Sequence, residues 1–404
     1  MNMKYSRPAL MASSKAPVMV VAAATALLAV AYAIARPRKP KRRTDVTGRL
    51  QNLVWHKPLS ELPTDGAVLL VDGAYMLAEG VSWNHLEQEL WWVDINGKMI
   101  MRLFCKSDED GEDGLGAALV AEGWDVQTRP GSLALREGGP RGGTPGYPLV
   151  VAFEDGFFLC DPSTGGRVAA AAAAGAEDEY EQLPNTRLND GRQEARRGGE
   201  ARVIVVSVRC DRQGRFLCGG INLENIDQPP DVWKPRAGVF RLEEGKGVRR
   251  ILPDEEFRCY NGTCFSPDGR TMYAAETPLQ RIARYDYNPE TGNISNKRVF
   301  VELEEGYPDG ATVDTEGCVW VAIFSCGEVR RFSPEGELLR TIPVPGAKNT
   351  TCVAIGGPDL DVLFITSASV GLNDQQRMEQ PNAGAVFAIR LEGVKGIPEP
   401  RFRG

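Results

Sequence analysis

The chain has 404 residues, 25% of them charged and 42% hydrophobic, with a net charge of -7. That is a globular composition with length enough for a large core, and its negative sign argues against nucleic-acid binding by charge. With only two histidines, His56 and His85, a three-histidine zinc site is excluded and a Ser-His-Asp triad is disfavoured, which leaves carboxylates, amides, Lys, Arg or an oxygen-bound metal for any catalysis.

The first element in chain order is a charge-free apolar run, Ala16 to Ala35, about the ~20 residues that a membrane helix needs. The basic run "RPRKPKRR" follows it directly, so the positive-inside rule places what comes next in the cytoplasm. The expectation is a hydrophobic anchor helix over residues 1–35, a basic linker over 36–62 and a membrane-anchored cytosolic domain over 63–404. Two alternatives stay open: signal-peptidase cleavage near "AYA" (Ala31 to Ala33), or an organelle transit peptide. Sequons at Asn293 and Asn349 would report a secretory location.

Beyond about residue 67 the pattern repeats. Apolar-aromatic strands recur as "ELWWVDI" from Glu89, "YPLVVAF" from Tyr147, "GRFLCGG" from Gly214, "RTMYAAE" from Arg270, "GCVWVAI" from Gly317 and "DVLFITS" from Asp361. Most are followed by a Gly-bearing turn and a second alternating strand, such as "QRIARYDY" or "GEVRRFSPEG". The later repeats run roughly 45 to 55 residues, and no useful helical period appears after the leader. An all-β, six-bladed β-propeller preceded by the hydrophobic helix is the predicted fold. The earlier strand "AVLLVDG" is expected to pair into the last blade and close the ring.

Three further features are read as having no chemistry. The nine cysteines form no CxxC pair and sit in apolar runs, as small core residues of a reducing compartment do. "STGGRVAAAAAAGAEDEYEQ" and "ARRGGEARVIVVSVR" read as surface-loop insertions. The acidic run from Asp108 to Gly114 lacks the glycine and terminal glutamate of a calcium loop and reads as solvated.

One phase of the repeat does carry chemistry. Glu79, Asn261 and Asp309 each lie about ten to twelve residues ahead of a repeat strand. Asn189 would share that phase once the insertion is removed, and Thr351 occupies it in the last repeat. In a propeller this phase is the mouth of the innermost strands, where side chains converge on the axis. Asn-Gly and Asp-Gly also make ordinary turns, and for one motif that would suffice. Their recurrence at one phase points instead to a hard-oxygen site for a divalent ion.

These residues carry a resemblance. From about Leu77 to Gly404 the chain resembles the gluconolactonase/regucalcin (senescence marker protein) family of six-bladed propellers. The carriers include "AEGVSWNHLEQELWWVDINGKMIMR", "RLNDGR", "YNGTCFSPDGRTMYAAETP", "YPDGATVDTEGCVWVA" and "QPNAGAVFAIRLEGVKGIPEP". The resemblance implies one divalent metal ion (Ca²⁺ or Zn²⁺, with Mn²⁺ or Mg²⁺ as alternatives) held by Glu79, Asn261 and Asp309. It implies substrate contacts from Arg187, Asn189 and Glu224. Val81 stands where the family has proline, and "GGI" where it has G-T-M, which puts the Glu224 contact in doubt.

The implied activity is metal-dependent opening of a sugar lactone, with Asp309 as both ligand and proton acceptor, by a protein that is a monomer. An aryl ester or organophosphate hydrolase on the same site, and a non-catalytic calcium-binding propeller, are the alternatives. His85 is expected near the channel wall by sequence, in a structural or surface role.

Overall fold

The computed structural model describes residues 54–55, 57–106, 118–137, 147–170, 203–222, 232–235, 237–243 and 246–404. The hydrophobic leader, the acidic run at 108–114 and the Ala-rich stretch at 171–178 lie outside them. Among the described residues no helix is long and apolar enough to cross a membrane.

The fold is an all-β six-bladed propeller of four-stranded sheets. The first blade is β2 (Ala78–Asn84), β3 (Glu89–Asp94), β4 (Met99–Lys106) and β5 (Ala118–Asp125). The second is β6 (Pro130–Leu135), β7 (Leu149–Phe153), β8 (Gly156–Asp161) and β9 (Gly166–Ala169). The third is β10 (Val203–Cys210), β11 (Phe216–Asn222), β12 (Ala237–Glu243) and β13 (Gly247–Phe257). The fourth is β14 (Tyr260–Phe265), β15 (Thr271–Glu276), β16 (Arg281–Tyr287) and β17 (Ile294–Glu302). The fifth is β18 (Tyr307–Val313), β19 (Val319–Phe324), β20 (Glu328–Phe332) and β21 (Leu338–Pro343). The sixth joins β22 (Thr350–Gly356), β23 (Val362–Ser367) and β24 (Val386–Arg390) to β1 (Val68–Val71) from the start of the domain. β1 runs antiparallel to β24, with Val68 opposite Ala388 and Leu69 opposite Phe387. The ring therefore closes as "AVLLVDG" suggests, and hydrogen bonds rather than a covalent link hold the first and last segments together.

Polarity increases from axis to rim. β19 and β23 are buried along their whole length because each lies between two neighbouring blades, so both faces of the strand are apolar. β17 and β21 lie at the rim and are largely exposed, with Lys297, Arg298 and Thr341 among the exposed residues. The core is a series of wedges between blades. Trp320 and Ala322 pack on Leu363, Ile365 and Phe387 across the fifth and sixth blades. Leu90, Trp92 and Met101 meet Phe364 and Ala388 across the closure. Cys160, Cys210, Cys218, Cys259, Cys264, Cys318 and Cys352 are buried free thiols that fill these wedges as small apolar groups.

Two sequence readings need correction. "ARRGGEARVIVVSVR" is not a surface loop throughout: Val203–Cys210 is the innermost strand of the third blade, paired with β11 from Val203↔Asn222 to Cys210↔Phe216. Its β-branched run is what a strand requires. Nor is "STGGRVAAAAAAGAEDEYEQ" a loop at its start, since Gly166–Ala169 within it is β9, paired with β8 at the edge of the second blade; "YPDGA" is strand as well. It lies within β18, where the register slips by one residue between Pro308 and Ala311. The same one-residue bulge recurs in β2, β6, β10, β14 and β22. Six bulges at one level bend all six innermost strands where they approach the axis.

Candidate metal and active site

Glu79 is the second residue of β2, Asn261 the second of β14 and Asp309 the third of β18. All three therefore sit at the same end of the central channel, beside the bulges. All three are buried, at 6%, 7% and 8% exposure. Glu79 and Asn261 line one narrow axial cavity with Ser132, Ser207, Gly310 and Cys352. That cavity holds about 20 Å³, room for roughly one water-sized body or one ion.

The bulge explains the residue that follows each of the three. Gly80 and Gly262 have φ of 59° and 57°, the left-handed conformation that glycine adopts without strain. Gly310 does not have a positive φ, so its role differs from that of Gly80 and Gly262. A Cβ there would fall 2.7 Å from the Cα and 2.5 Å from the Sγ of Cys352 on the next innermost strand. Gly310 is small because two strands touch there.

Both carboxyls of the site are shifted upward. Burial pushes the Glu79 carboxyl up to about 8, against an ordinary 4.5, and the Gly80 N–H that donates to its Oε2 at 3.1 Å offsets this only in part. Burial, and then repulsion from Glu79, raise Asp309 well above its ordinary value. Among the described residues no Lys or Arg is paired with either carboxylate. The site thus brings two buried, mutually repelling carboxylates and one amide to the same end of the channel, all of them oxygen-bearing groups.

Asn261 is oriented by its neighbours. Its Nδ2 donates to Thr277 Oγ1 at 3.1 Å and lies 3.7 Å from Cys259 Sγ. Thr277 Oγ1 in turn donates to the carbonyl of Pro308 at 2.8 Å, tying the Asn261 and Asp309 strands together. Sequence reasoning missed Thr277, since it stands outside the repeated phase. Thr351 is in that phase but is no ligand. Its hydroxyl donates to the Ala78 carbonyl at 2.5 Å and lies 2.9 Å from Thr366 Oγ1, so it fastens the last innermost strand to the first beside Glu79.

The same axial cavity is lined further along by Arg209 and Glu399. Arg209 on β10 reaches Glu399 Oε1 at 2.5 Å and also donates to the carbonyls of Thr263 and Ala311. Glu399 belongs to the C-terminal tail, which runs from Gly396, bonded to Leu360, to Phe402, bonded to Leu135. His85 lies in the β2–β3 turn near Arg401 and Glu399, and not beside the carboxylates. Arg187, Asn189 and Glu224 lie outside the described residues.

Comparison with known proteins converges on one family. The model of the SMP-30/Gluconolactonase/LRE-like region matches residues 77–201 and 195–369. The chain is 30% identical to regucalcin of Danio rerio over 331 residues, covering 81% of this chain and 95% of that one. It is 31% identical to the L-arabinolactonase of Azospirillum brasilense over 346 residues, covering 85% and 97%. Among solved structures, a calcium-binding protein, regucalcin, from Agrobacterium tumefaciens superposes with a TM-score of 0.66 at 24% identity, covering 85% of this chain and 99% of that one.

Proposed function

The chain belongs to the SMP-30/gluconolactonase/LRE-like family, and from that premise we propose that it is a divalent-metal-dependent hydrolase of sugar lactones. The observation that carries this reading is the buried, mutually repelling pair Glu79 and Asp309 at the same end of the channel as Asn261, a donor set suited to a hard cation. Family members named for lactone hydrolysis over nearly their whole length support the choice of reaction.

In this reading Glu79, Asn261 and Asp309 hold one divalent ion. The ion, when bound, supplies Lewis-acid polarisation of the lactone carbonyl. The protein does the rest. Asp309 accepts a proton as water oxygen bonds to the carbonyl carbon. The ring C–O bond then breaks, and its oxygen leaves as a hydroxyl carrying the proton that Asp309 held. Arg187 and Asn189, with Glu224, are the residues proposed to hold the ring hydroxyls and orient the ester. The paired Arg209 and Glu399 line the same axial cavity further along.

The test is acid release from a panel of aldonolactones by the purified full chain, with and without a chelator. Hydrolysis of at least one lactone, abolished by chelation and restored by a divalent salt, is the expected result. No turnover of any lactone with any of Ca²⁺, Zn²⁺, Mn²⁺ or Mg²⁺ would overturn the reading.

A further inference from the structure

The donor and acceptor chemistry around Thr277 fixes something the carboxylates cannot. An asparagine amide can face either way, and only its oxygen can bind a cation. The Pro308 carbonyl only accepts hydrogen bonds, so the single hydroxyl proton of Thr277 is committed to it at 2.8 Å. What remains on Thr277 Oγ1 is lone pairs. The Asn261 group that meets it at 3.1 Å must therefore be the NH₂. Oδ1 is then the end of the amide turned away from Thr277, on a residue that lines the axial cavity.

We propose that Thr277 is a positioning residue: it holds the Asn261 amide with Oδ1 toward the axis and fixes its spacing from the Asp309 strand, so that a divalent cation meets an oxygen and not an amino group. The inference rests on the metal reading given above. Thr277 is well placed for this task. It is 3% exposed, it begins the short 3-10 turn Thr277–Leu279 at the end of β15, and Pro278 behind it restricts its backbone. The hydroxyl thus links two ligand strands that are 31 residues apart in sequence.

Calorimetric titration of chelator-stripped protein with Ca²⁺, Zn²⁺ and Mn²⁺ tests the proposal on three variants. Thr277→Val keeps the shape and removes the hydroxyl. It should weaken ion binding by roughly 10- to 100-fold, the cost typical of losing a group that orients a ligand. Thr277→Ser keeps the hydroxyl and should stay within about threefold of wild type. If Thr277→Val does not fold, Thr277→Ala replaces it with the same expected loss. In an Asn261→Ala background Thr277→Val should add less than about threefold, because its effect passes through the amide. Unchanged affinity in Thr277→Val, or equal losses in the Val and Ser variants, would overturn the proposal alone. Wild-type protein that binds none of the three ions would overturn the metal reading itself, and the proposal with it.

Discussion

Arg209 and Glu399 stand 190 residues apart in sequence and 2.5 Å apart in space, in the lining of the axial cavity. Their side chains are 12% and 9% exposed, so each is the condition for burying the other. Removing one partner strands a buried charge. Glu399→Ala should lower the free energy of unfolding by about 3–5 kcal/mol, read from urea midpoints. Arg403→Ala, at a pair more than half exposed, serves as the control and should change the midpoint little. Equal midpoints for wild type and Glu399→Ala would show that the pair does not fasten the tail.

Gly310 makes a different kind of demand. Because Cys352 Cα lies 2.7 Å from where a Cβ would be, no side-chain rotation can make room. Gly310→Ala should cost about 1–3 kcal/mol of stability through strand displacement. Adding Cys352→Ala should not restore it, since the Cα and Cβ of residue 352 remain in the way. Full rescue by the second change would place the conflict at the sulfur alone.

Much of this was legible in the sequence, and the reasons differ by element. The strands of the six repeats announce themselves because a strand wedged between blades is apolar on both faces, as "CVWVAIF" is. That Glu79, Asn261 and Asp309 share one end of the channel was visible because one repeat phase carried oxygen donors ahead of glycine. Thr277 and Glu399 were not, since neither recurs. A hydroxyl that orients an amide and an acid that meets Arg209 are consequences of tertiary contact. The arginine in the apolar stretch "VIVVSVR" was the available sign, because a charge on an innermost strand requires a buried partner. The bulge at "PDG" was concealed by its likeness to a turn.

The pH dependence of stability follows from the raised carboxyls. Between the ordinary 4.5 and about 8, folded Glu79 keeps a proton that the unfolded chain has released. The folded state therefore binds more protons there, and stability falls as pH rises through that window. Asp309, also raised, acts in the same direction. Urea unfolding of chelator-treated protein should show a lower midpoint at about pH 8 than at about pH 5, and Glu79→Gln should reduce the slope. A divalent ion competes with those protons, so its stabilising effect should grow over the same window. A chelated protein that gains stability as pH rises, unaltered by Glu79→Gln, would contradict this account.

For topology, we propose that the basic run from Arg36 to Arg43 keeps the propeller on the cytosolic side. Of the two sequons, Asn349 is 5% exposed and Asn293 lies on the surface between β16 and β17. Only Asn293 is therefore a usable reporter in the folded protein. Mass spectrometry of the protein expressed in eukaryotic cells should find it unmodified. A glycan on Asn293 would place the propeller in the secretory lumen.

The central claim is that Asp309 is a metal ligand and a base, not a turn residue. Asp309→Asn changes the group while keeping its shape, and asparagine would serve a simple turn or bulge as well as aspartate does. Lactone turnover by the metal-loaded variant, measured beside its calorimetric ion affinity and its circular dichroism, decides the matter. The account predicts a fall in kcat of ~10²-fold or more, the usual loss with a general base, together with weaker ion binding and an unchanged spectrum. Wild-type turnover and wild-type ion affinity in Asp309→Asn would contradict it.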